Sequence, residues 1–89
     1  MDLEKIFKAL SCEWRIKIIK QIAGQDTCIC DLETMNHLDR TTVSRHISVL
    51  MNAGIIDVQR DGQRKRLVLR DKRIIDLIEI AEKIAKEVQ

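Results

Sequence analysis

Residues 38–67 read LDRTTVSRHISVLMNAGIIDVQRDGQRKRL, and this stretch decides the fold. Its second residue is Asp39, a residue type that favours the N-cap of a helix, and Gly54 is a residue type that commonly ends one. Between them the apolar residues recur at the spacing of a helix with one apolar face. Those residues are Val43, Ile47, Leu50 and Met51.

The second half of the stretch changes to the alternating pattern of β-strands. Ile56 and Val58 alternate with polar residues, and Leu67, together with Leu69 just beyond the stretch, alternates in the same way on the return strand. Between them Asp61-Gly62 is a hairpin turn signal. This pattern predicts a two-stranded β-hairpin with a basic tip.

Helices are predicted on both sides of this stretch by apolar residues at helical spacing. The first helix spans about residues 2–10. The second follows Ser11, a candidate N-cap, and ends at Gly24. A C-terminal helix covers residues 74–88 and is apolar along one broad face.

A short helix over about residues 30–36, with Leu32 and Met35 facing inward, leads through a turn at residues 37–38 into the helix of the opening stretch. A short helix, a tight turn and a second helix form a DNA-reading unit, and the hairpin that follows is its wing. The sequence therefore predicts one domain over residues 1–89, mainly α with a β-hairpin wing. This is a winged helix-turn-helix.

Basic residues are concentrated in the middle of the chain. Residues 39–73 carry nine basic and four acidic side chains, a net charge of +5, whereas residues 1–38 are −1 and residues 74–89 are −2. Such a distribution is typical of a surface that faces a polyanion. With 89 residues, 45% of them hydrophobic, the chain forms a core small enough to gain from a partner subunit.

The composition argues against membrane and disulfide-rich secreted classes. No run approaches the ~20 apolar residues of a membrane span, and the N-terminal MDLEKIFKAL is amphipathic and charged rather than signal-like. Three cysteines fit reduced thiols better than a disulfide framework. We therefore expect a cytoplasmic protein with no membrane association.

The same stretch resembles the arsenic-repressor (ArsR/SmtB) family of metal-sensing transcription factors. That family carries a Leu-Ser-Gln-x-x-Val-Ser-x-His-Leu-x-x-Leu-x-x-x-Gly-Leu pattern followed by a charged wing. The matching residues here are Leu38, Val43, Ser44, His46, Ile47, Leu50, Gly54 and Ile55, and upstream Ala9, Leu10 and Arg15 match the family's Ala-Leu-x-Asp-Pro-x-Arg stretch. The resemblance departs at Cys12, Trp14, Asn36-His37 and Arg40.

Polar side chains in the first turns of a recognition helix enter the major groove of double-stranded DNA, where Arg binds guanine and Ser or Thr binds a base or a phosphate. Basic residues of the wing would reach phosphates or the minor groove. The expected DNA-binding residues are Arg40, Thr41, Thr42, Ser44 and Arg45 of the helix and Arg60, Gln63, Arg64 and Lys65 of the wing. The alternative is a merely solvated basic face. His46 is either a metal ligand or a residue that packs near the turn.

The first and last helices are more apolar than a small winged helix requires. In the resembling family they form a two-fold dimer interface, and on a monomer they would leave an unusually large apolar patch. A homodimer places two recognition helices roughly 34 Å apart and predicts a palindromic operator. The alternative is that the last helix only completes the core of a monomer. The expected interface residues are Leu3, Ile6, Phe7, Ile74, Leu77, Ile78, Ala81, Ile84 and Val88.

The segment TCICDL, residues 27–32, holds two of the three cysteines. Arsenic-sensing members of the resembling family carry Cys-x-Cys-x-x-Cys here. Cys28 and Cys30 match its first two cysteines, and Glu33 stands at the third position. Soft thiolates suit As(III), Sb(III), Cd(II) or Pb(II) as an effector, and no resident cofactor is required. Cys12 is a third ligand only across a dimer, because the second helix separates it from Cys28 by roughly 16 Å.

The cysteine pair leaves three interpretations open. It is a sensor of a thiophilic metal or metalloid, a redox switch, or a structural pair. In the redox case a disulfide between subunits is favoured over a strained one within the chain.

The resulting hypothesis is a sequence-specific transcriptional repressor, released from its operator when an ion binds Cys28 and Cys30. The alternatives are a redox-responsive or effector-independent regulator, a winged-helix protein-interaction module, and a thiol enzyme or metal carrier. An enzyme is disfavoured, because neither His37 nor His46 comes with an evident set of nucleophile, base and orienting group.

Overall fold

A computed structural model describes residues 2–88, except for the side chains of residues 35 and 36. The elements in chain order are α1 Leu3–Leu10, α2 Glu13–Gly24, β1 Thr27–Cys28, α3 Ile29–Asn36, α4 Arg40–Asn52, β2 Ile56–Asp61, β3 Arg64–Leu69 and α5 Arg73–Glu87. This order confirms the winged helix-turn-helix, mainly helical with an antiparallel hairpin between α4 and α5. The predicted inward orientation of Met35 lies outside the described residues. No helix within residues 2–88 is long and apolar enough to cross a bilayer.

Capping residues define the ends of the recognition helix α4. Asp39 is its N-cap, as predicted, and the Asp39 Oδ1 accepts a hydrogen bond from the Thr42 N–H at 2.7 Å. The preceding His37 ends α3 with a φ of 55°, in the left-handed region that residues with a Cβ enter at a cost. Gly54 follows α4 with a φ of 76°, which confirms its place beyond the helix end.

The start of α2 differs from the prediction by one residue. Cys12 is the N-cap, without a side-chain hydrogen bond, whereas Ser11 is the C-cap of α1. The Ser11 hydroxyl donates to the Lys8 carbonyl at 2.6 Å. A hydroxyl at a junction of two helices satisfies either an orphan carbonyl of the first or an orphan N–H of the second, and here it satisfies the first.

The sheet has three strands rather than the two that were predicted. The additional strand β1 pairs antiparallel with β3, with Thr27 opposite Leu67 and Cys28 opposite Arg66. Because β3 lies between β1 and β2, the cysteine segment is attached directly to the wing.

The wing hairpin also turns one residue later than predicted. β2 and β3 pair up to Asp61 opposite Arg64, so the turn is Gly62–Gln63 rather than Asp61–Gly62. Gly62 has a φ of 66°, which suits the first position of a type II′ turn.

The hydrophobic core draws residues from all five helices and from both strands of the wing. Burial of a large apolar side chain contributes about 1.5–3 kcal/mol to folding. The core residues are Ala9, Ile18, Ile19, Ile22, Leu32, Val43, Ile47, Leu50, Ala53, Ile55, Ile56, Leu67 and Ile78.

Two predicted positions differ from this core. Ile78 was expected at a subunit interface but is only 3% exposed, because this side of α5 packs on the chain's own core. Met51 was expected inside but is 44% exposed at the last turn of α4. Helical spacing identifies the apolar face of a helix, but it does not distinguish residues that pack on the chain's own core from residues that stay exposed.

Candidate nucleic-acid interface and cysteine site

Helix α4 has a polar side opposite its buried one. Its buried side chains are Val43, Ile47 and Leu50. On the polar side the residues predicted to contact DNA are all accessible: Arg40, Thr41, Ser44 and Arg45 are exposed and Thr42 is half-buried. The helix therefore offers two guanidinium groups and three hydroxyls on its accessible side, a set that suits phosphates and base edges.

Two of these side chains have partners within the chain. The Arg40 Nε lies 3.3 Å from a Glu33 carboxylate oxygen, but its side chain remains 88% exposed, so the ion pair contributes little and does not withhold the guanidinium. Hydrogen bonds from the Thr42 backbone and hydroxyl, with the charge of Arg45, hold the pKa of Asp39 below its usual value. The negative charge of the ionised Asp39 carboxylate stabilises α4, because it lies at the positive N-terminal end of the helix dipole.

Arg15 and His46, two positions of the family pattern, contact each other. The Arg15 Nε donates to the Ala9 carbonyl at 2.7 Å, and its Nη1 lies 3.4 Å from the His46 Nδ1. Burial, and then the charge of Arg15, lower the pKa of His46, which keeps the imidazole neutral at neutral pH. The contact attaches α4 to the end of α1. Within residues 2–88, His46 is part of no cluster with metal-ligand geometry.

The four predicted wing residues Arg60, Gln63, Arg64 and Lys65 are all exposed. Arg60 and Lys65 lie opposite each other in the pairing of β2 with β3. In the described part of the chain no carboxylate lies within ion-pair distance of either, so both charges are available to a phosphate.

Arg64 and Arg66 instead form ion pairs, with Asp26 and Asp31 on either side of β1 and with Asp61 at the end of β2. The Arg64 Nη1 lies 3.3 Å from Asp26 Oδ2, and its Nη2 lies 3.9 Å from Asp31 Oδ2. The Arg66 Nε lies 2.9 Å from Asp26 Oδ1, and its Nη2 lies 3.4 Å from Asp61. Neither Asp26 nor Asp31 was predicted to pair with the wing, because only the pairing of β1 with β3 brings them there.

Cys28 and Cys30 form a disulfide within the chain, with a Cα–Cα distance of 5.4 Å. This is inside the usual range for disulfides. It contradicts the expectation of reduced thiols and, for a redox switch, of a bond between subunits. The chain turns from β1 into α3 between the two residues, and this brings their Cα atoms closer than the about 6.7 Å of two strand steps. Cys28 is buried and Cys30 is exposed.

Asp31 forms a three-membered cluster with the two cysteines. Both sulfurs and a carboxylate oxygen of Asp31 lie within 4.8 Å of one another, and no other such cluster occurs in residues 2–88. Asp31 Oδ2 also accepts the Cys28 N–H at 2.9 Å. Glu33, at the third position of the family's cysteine pattern, is outside the cluster, as is Cys12, a free half-buried cysteine at the start of α2. Asp31 could have been found from the sequence as the residue directly after the cysteine pair.

Helices α1 and α5 carry an exposed apolar face. Its exposed fractions run from 37% for Leu77 to 79% for Val88. The exposed members are Leu3, Phe7, Leu77, Ile80, Ala81, Ile84 and Val88, with Ile6 and Ile74 half-buried beside them. Ile80 was not among the predicted interface residues, but it is 57% exposed, whereas the predicted Ile78 is buried.

The winged helix, with a polar recognition helix and a basic hairpin, defines the class of DNA-binding transcriptional regulators. A family model described as "Bacterial regulatory protein, arsR family" matches residues 12–58. The chain belongs to the ArsR family, as the sequence resemblance indicated.

Similarity to individual proteins agrees with this assignment. The chain is 33% identical to a cadmium resistance transcriptional regulatory protein CadC homolog of Staphylococcus aureus, over 91% of this chain and 68% of that protein. It is 28% identical to the arsenical resistance operon repressor of Bacillus subtilis, over 84% and 72%. A homodimeric winged helix-turn-helix DNA-binding domain of Mycobacterium bovis superposes with a TM-score of 0.84 at 21% identity, covering 96% of this chain and 79% of that one.

Proposed function

We propose that this chain is a homodimeric repressor that binds a palindromic operator and releases it when a thiophilic ion binds reduced Cys28 and Cys30. The observation that carries the proposal is the position of β3. This strand carries Arg64 and Lys65 of the wing, and it pairs Arg66 with Cys28 of the cysteine segment. An ion bound at the cysteines would therefore lie beside β3 and could shift the wing residues that this strand carries.

For DNA, the support comes from the accessible side of α4. Arg40 and Arg45 would bind guanine there, and Thr41, Thr42 and Ser44 would bind a base or a phosphate. Arg60, Gln63, Arg64 and Lys65 of the wing serve the backbone or the minor groove.

For the dimer, the support is the exposed apolar face of α1 and α5. A monomer rarely leaves such a contiguous face in water. A two-fold axis across this face would bring two copies of α4 to successive turns of one side of the DNA, roughly 34 Å apart. That spacing requires an operator with two inverted half-sites.

For the effector, the support is the donor set of two sulfurs and one carboxylate. The S. aureus and B. subtilis relatives bear names that refer to cadmium and arsenical resistance. We propose Cd(II) or Pb(II), and As(III) or Sb(III), as the candidate effectors, with no resident cofactor. Like its relatives, the protein would be a regulator rather than an enzyme, and it would act in the cytoplasm, where the chromosome lies.

A second candidate is a redox-responsive regulator, which the disulfide between Cys28 and Cys30 favours. In that case oxidation alone, without any metal, would change operator affinity.

The experiment is fluorescence anisotropy with DNA from upstream of the protein's own gene and a scrambled duplex of the same length. We expect preferential binding to the first, release by cadmium under reducing conditions, and no response to a change of thiol redox state alone. Equal affinity for both duplexes would contradict a sequence-specific regulator, and release on oxidation without metal would favour the second candidate.

A further inference from the structure

A cleft with a volume of about 870 Å³ lies between the end of α2, strand β3 and the start of α5. This volume is within the about 300–1,000 Å³ of small-molecule sites in proteins. Neither the cysteine pair nor any of the predicted DNA-binding residues lines the cleft. The cleft is therefore a feature that the proposed function does not use.

Four aliphatic side chains line the inner part of the cleft. Ile22 of α2 and Leu67 of β3 belong to the buried core, and Leu69 and Ile75 are half-buried beside them. They come from all three elements that form the cleft. Because apolar surface is driven out of water, this wall favours a ligand with an apolar body.

The charged lining residues carry a net positive charge. They are three basic residues, Arg66, Lys72 and Arg73, and two carboxylates, Asp26 and Asp76. Three positive and two negative charges leave a net charge of +1. A cleft lined in this way favours an anion over a cation of the same size.

Two of the basic groups have donors available to a ligand. Within residues 2–88 no carboxylate lies within ion-pair distance of Lys72. The Arg66 Nη2 donates to Asp61 at 3.4 Å, but among the described residues the other guanidinium nitrogens make no hydrogen bond. The Asp26 Oδ1 lies 2.9 Å from the Arg66 Nε, out of line with its N–H. Arg66 therefore keeps donors for a second carboxylate.

We infer that this cleft binds a small organic carboxylate with an aliphatic body. The body lies against the aliphatic wall, and the carboxylate accepts hydrogen bonds from Lys72 and Arg66. Binding does not compete with the proposed dimer. On α5, Lys72, Ile75 and Asp76 share one side of the helix at spacings of three and four residues, whereas Leu77 and Ile84 lie on another side.

Asp76 distinguishes an anion from a ligand that also carries an ammonium group. Within residues 2–88 no basic group lies within ion-pair distance of its carboxylate. It would repel a carboxylate and attract an ammonium group. The variant Asp76→Asn should therefore bind an anion more tightly than wild type does.

The ligand class is tested with octanoate as the probe and octan-1-ol as its neutral counterpart. Calorimetric titration of the full chain gives the affinities, and the shifts of backbone amides in ¹H–¹⁵N spectra locate the site. We expect octanoate to shift amides at residues 22–26 and 66–76 and to bind at least about tenfold more tightly than octan-1-ol. Equal affinities, no binding of octanoate, or shifts confined to α1 and the second half of α5 would overturn the inference.

Charge variants test the contacts of the carboxylate. Lys72→Gln should weaken octanoate binding about 1.4- to 5-fold, and Asp76→Asn should tighten it by a similar factor. Lys83→Gln is the matched control, because Lys83 is an exposed lysine of α5 outside the cleft, and it should leave the affinity unchanged. Equal weakening in Lys72→Gln and Lys83→Gln, or weaker binding in Asp76→Asn, would overturn the assignment of an anion to this cleft.

A filled cleft provides a test that does not depend on charge. Gly24 lines the cleft, a Cβ at this position meets no atom within 4 Å, and its φ is outside the left-handed region. Gly24→Leu should therefore fold as wild type does, which circular dichroism verifies, and bind octanoate at least about tenfold more weakly. Wild-type affinity in this variant would overturn the inference. None of these measurements uses DNA or a metal ion, so their results are independent of the proposed function.

Discussion

Truncation of Ile84 to alanine should weaken the homodimer about 100-fold. The change removes about three methylene-sized groups, worth about 2.4 kcal/mol when fully buried. Ile84 is 57% exposed in the single chain, so about 1.4 kcal/mol of that burial is left for association. A two-fold interface contains the residue twice, and the loss of about 2.7 kcal/mol converts to about two orders of magnitude in Kd.

Sedimentation velocity over a range of protein concentrations measures this Kd. Lys83→Ala is the control on the same helix, because an exposed lysine that is not part of the apolar face should leave the Kd unchanged. Ile78→Val is the second control, since Ile78 belongs to the core of the single chain. That variant should lower the free energy of unfolding by about 0.5–1.5 kcal/mol without weakening association. A wild-type chain that stays monomeric at micromolar concentration, or an Ile84→Ala variant with the wild-type Kd, would refute the reasoning.

Arg45→Ala should cost about 1–3 kcal/mol of operator binding, measured by anisotropy, and relax the preference at one base position; unchanged affinity would remove Arg45 from the interface. Gly62→Ala should lower the free energy of unfolding by about 1–2 kcal/mol in urea, because the φ of 66° is strained for a residue with a Cβ. The lowered pKa of His46 means that the unfolded chain binds the proton more tightly, so stability present above pH 6.5 should be lost as the pH falls below it. The difference between urea midpoints at about pH 7.5 and 5.5 should therefore be smaller in His46→Gln than in wild type, and an unchanged difference would contradict this role of His46. Glu33→Cys, which completes the family's three-cysteine pattern, should strengthen arsenite binding relative to cadmium, and an unchanged preference would show that this position does not reach the ion.

Local signals explain why the helix-turn-helix could be predicted from the sequence. The Asp39 carboxylate caps α4 by accepting a hydrogen bond from the N–H of Thr42, the third residue of that helix. Gly54 takes the left-handed conformation that ends the helix. Both depend on neighbours a few residues away, as does the apolar spacing between them. The exposure of the polar residues of α4 could be predicted as well, because helical spacing places them on the side away from the buried residues.

Strand β1, which was not predicted, shows what local sequence signals do not contain. β1 has only two residues, too few for an alternating pattern, and it exists because β3 offers an edge to it. Thr27 is fully buried there, and its hydroxyl donates to the carbonyls of Gln21 and Gln25. These contacts depend on tertiary packing between segments far apart in the chain, so a local stretch of sequence does not predict them.

The same limit applies to the cysteine site. Cys28 and Cys30 were found from their spacing and their resemblance to a family pattern. The disulfide and the ion pairs of Arg64 were not predicted, because they depend on how β1 turns into α3 beside β3. Asp31 was overlooked, although it directly follows the cysteine pair in the sequence. On α5, helical spacing likewise grouped Ile78 with the exposed residues although it faces the core.

In the proposed function the cysteine pair controls DNA binding. The most direct measurement is the anisotropy of a labelled operator duplex bound by the reduced protein during a cadmium titration, with Cys28→Ser and Cys12→Ser compared with wild type. All three should bind the ion-free operator equally, and cadmium should release wild type and Cys12→Ser while Cys28→Ser stays bound. A wild-type complex that persists at saturating cadmium, or release of Cys28→Ser at the wild-type concentration, would contradict the claim.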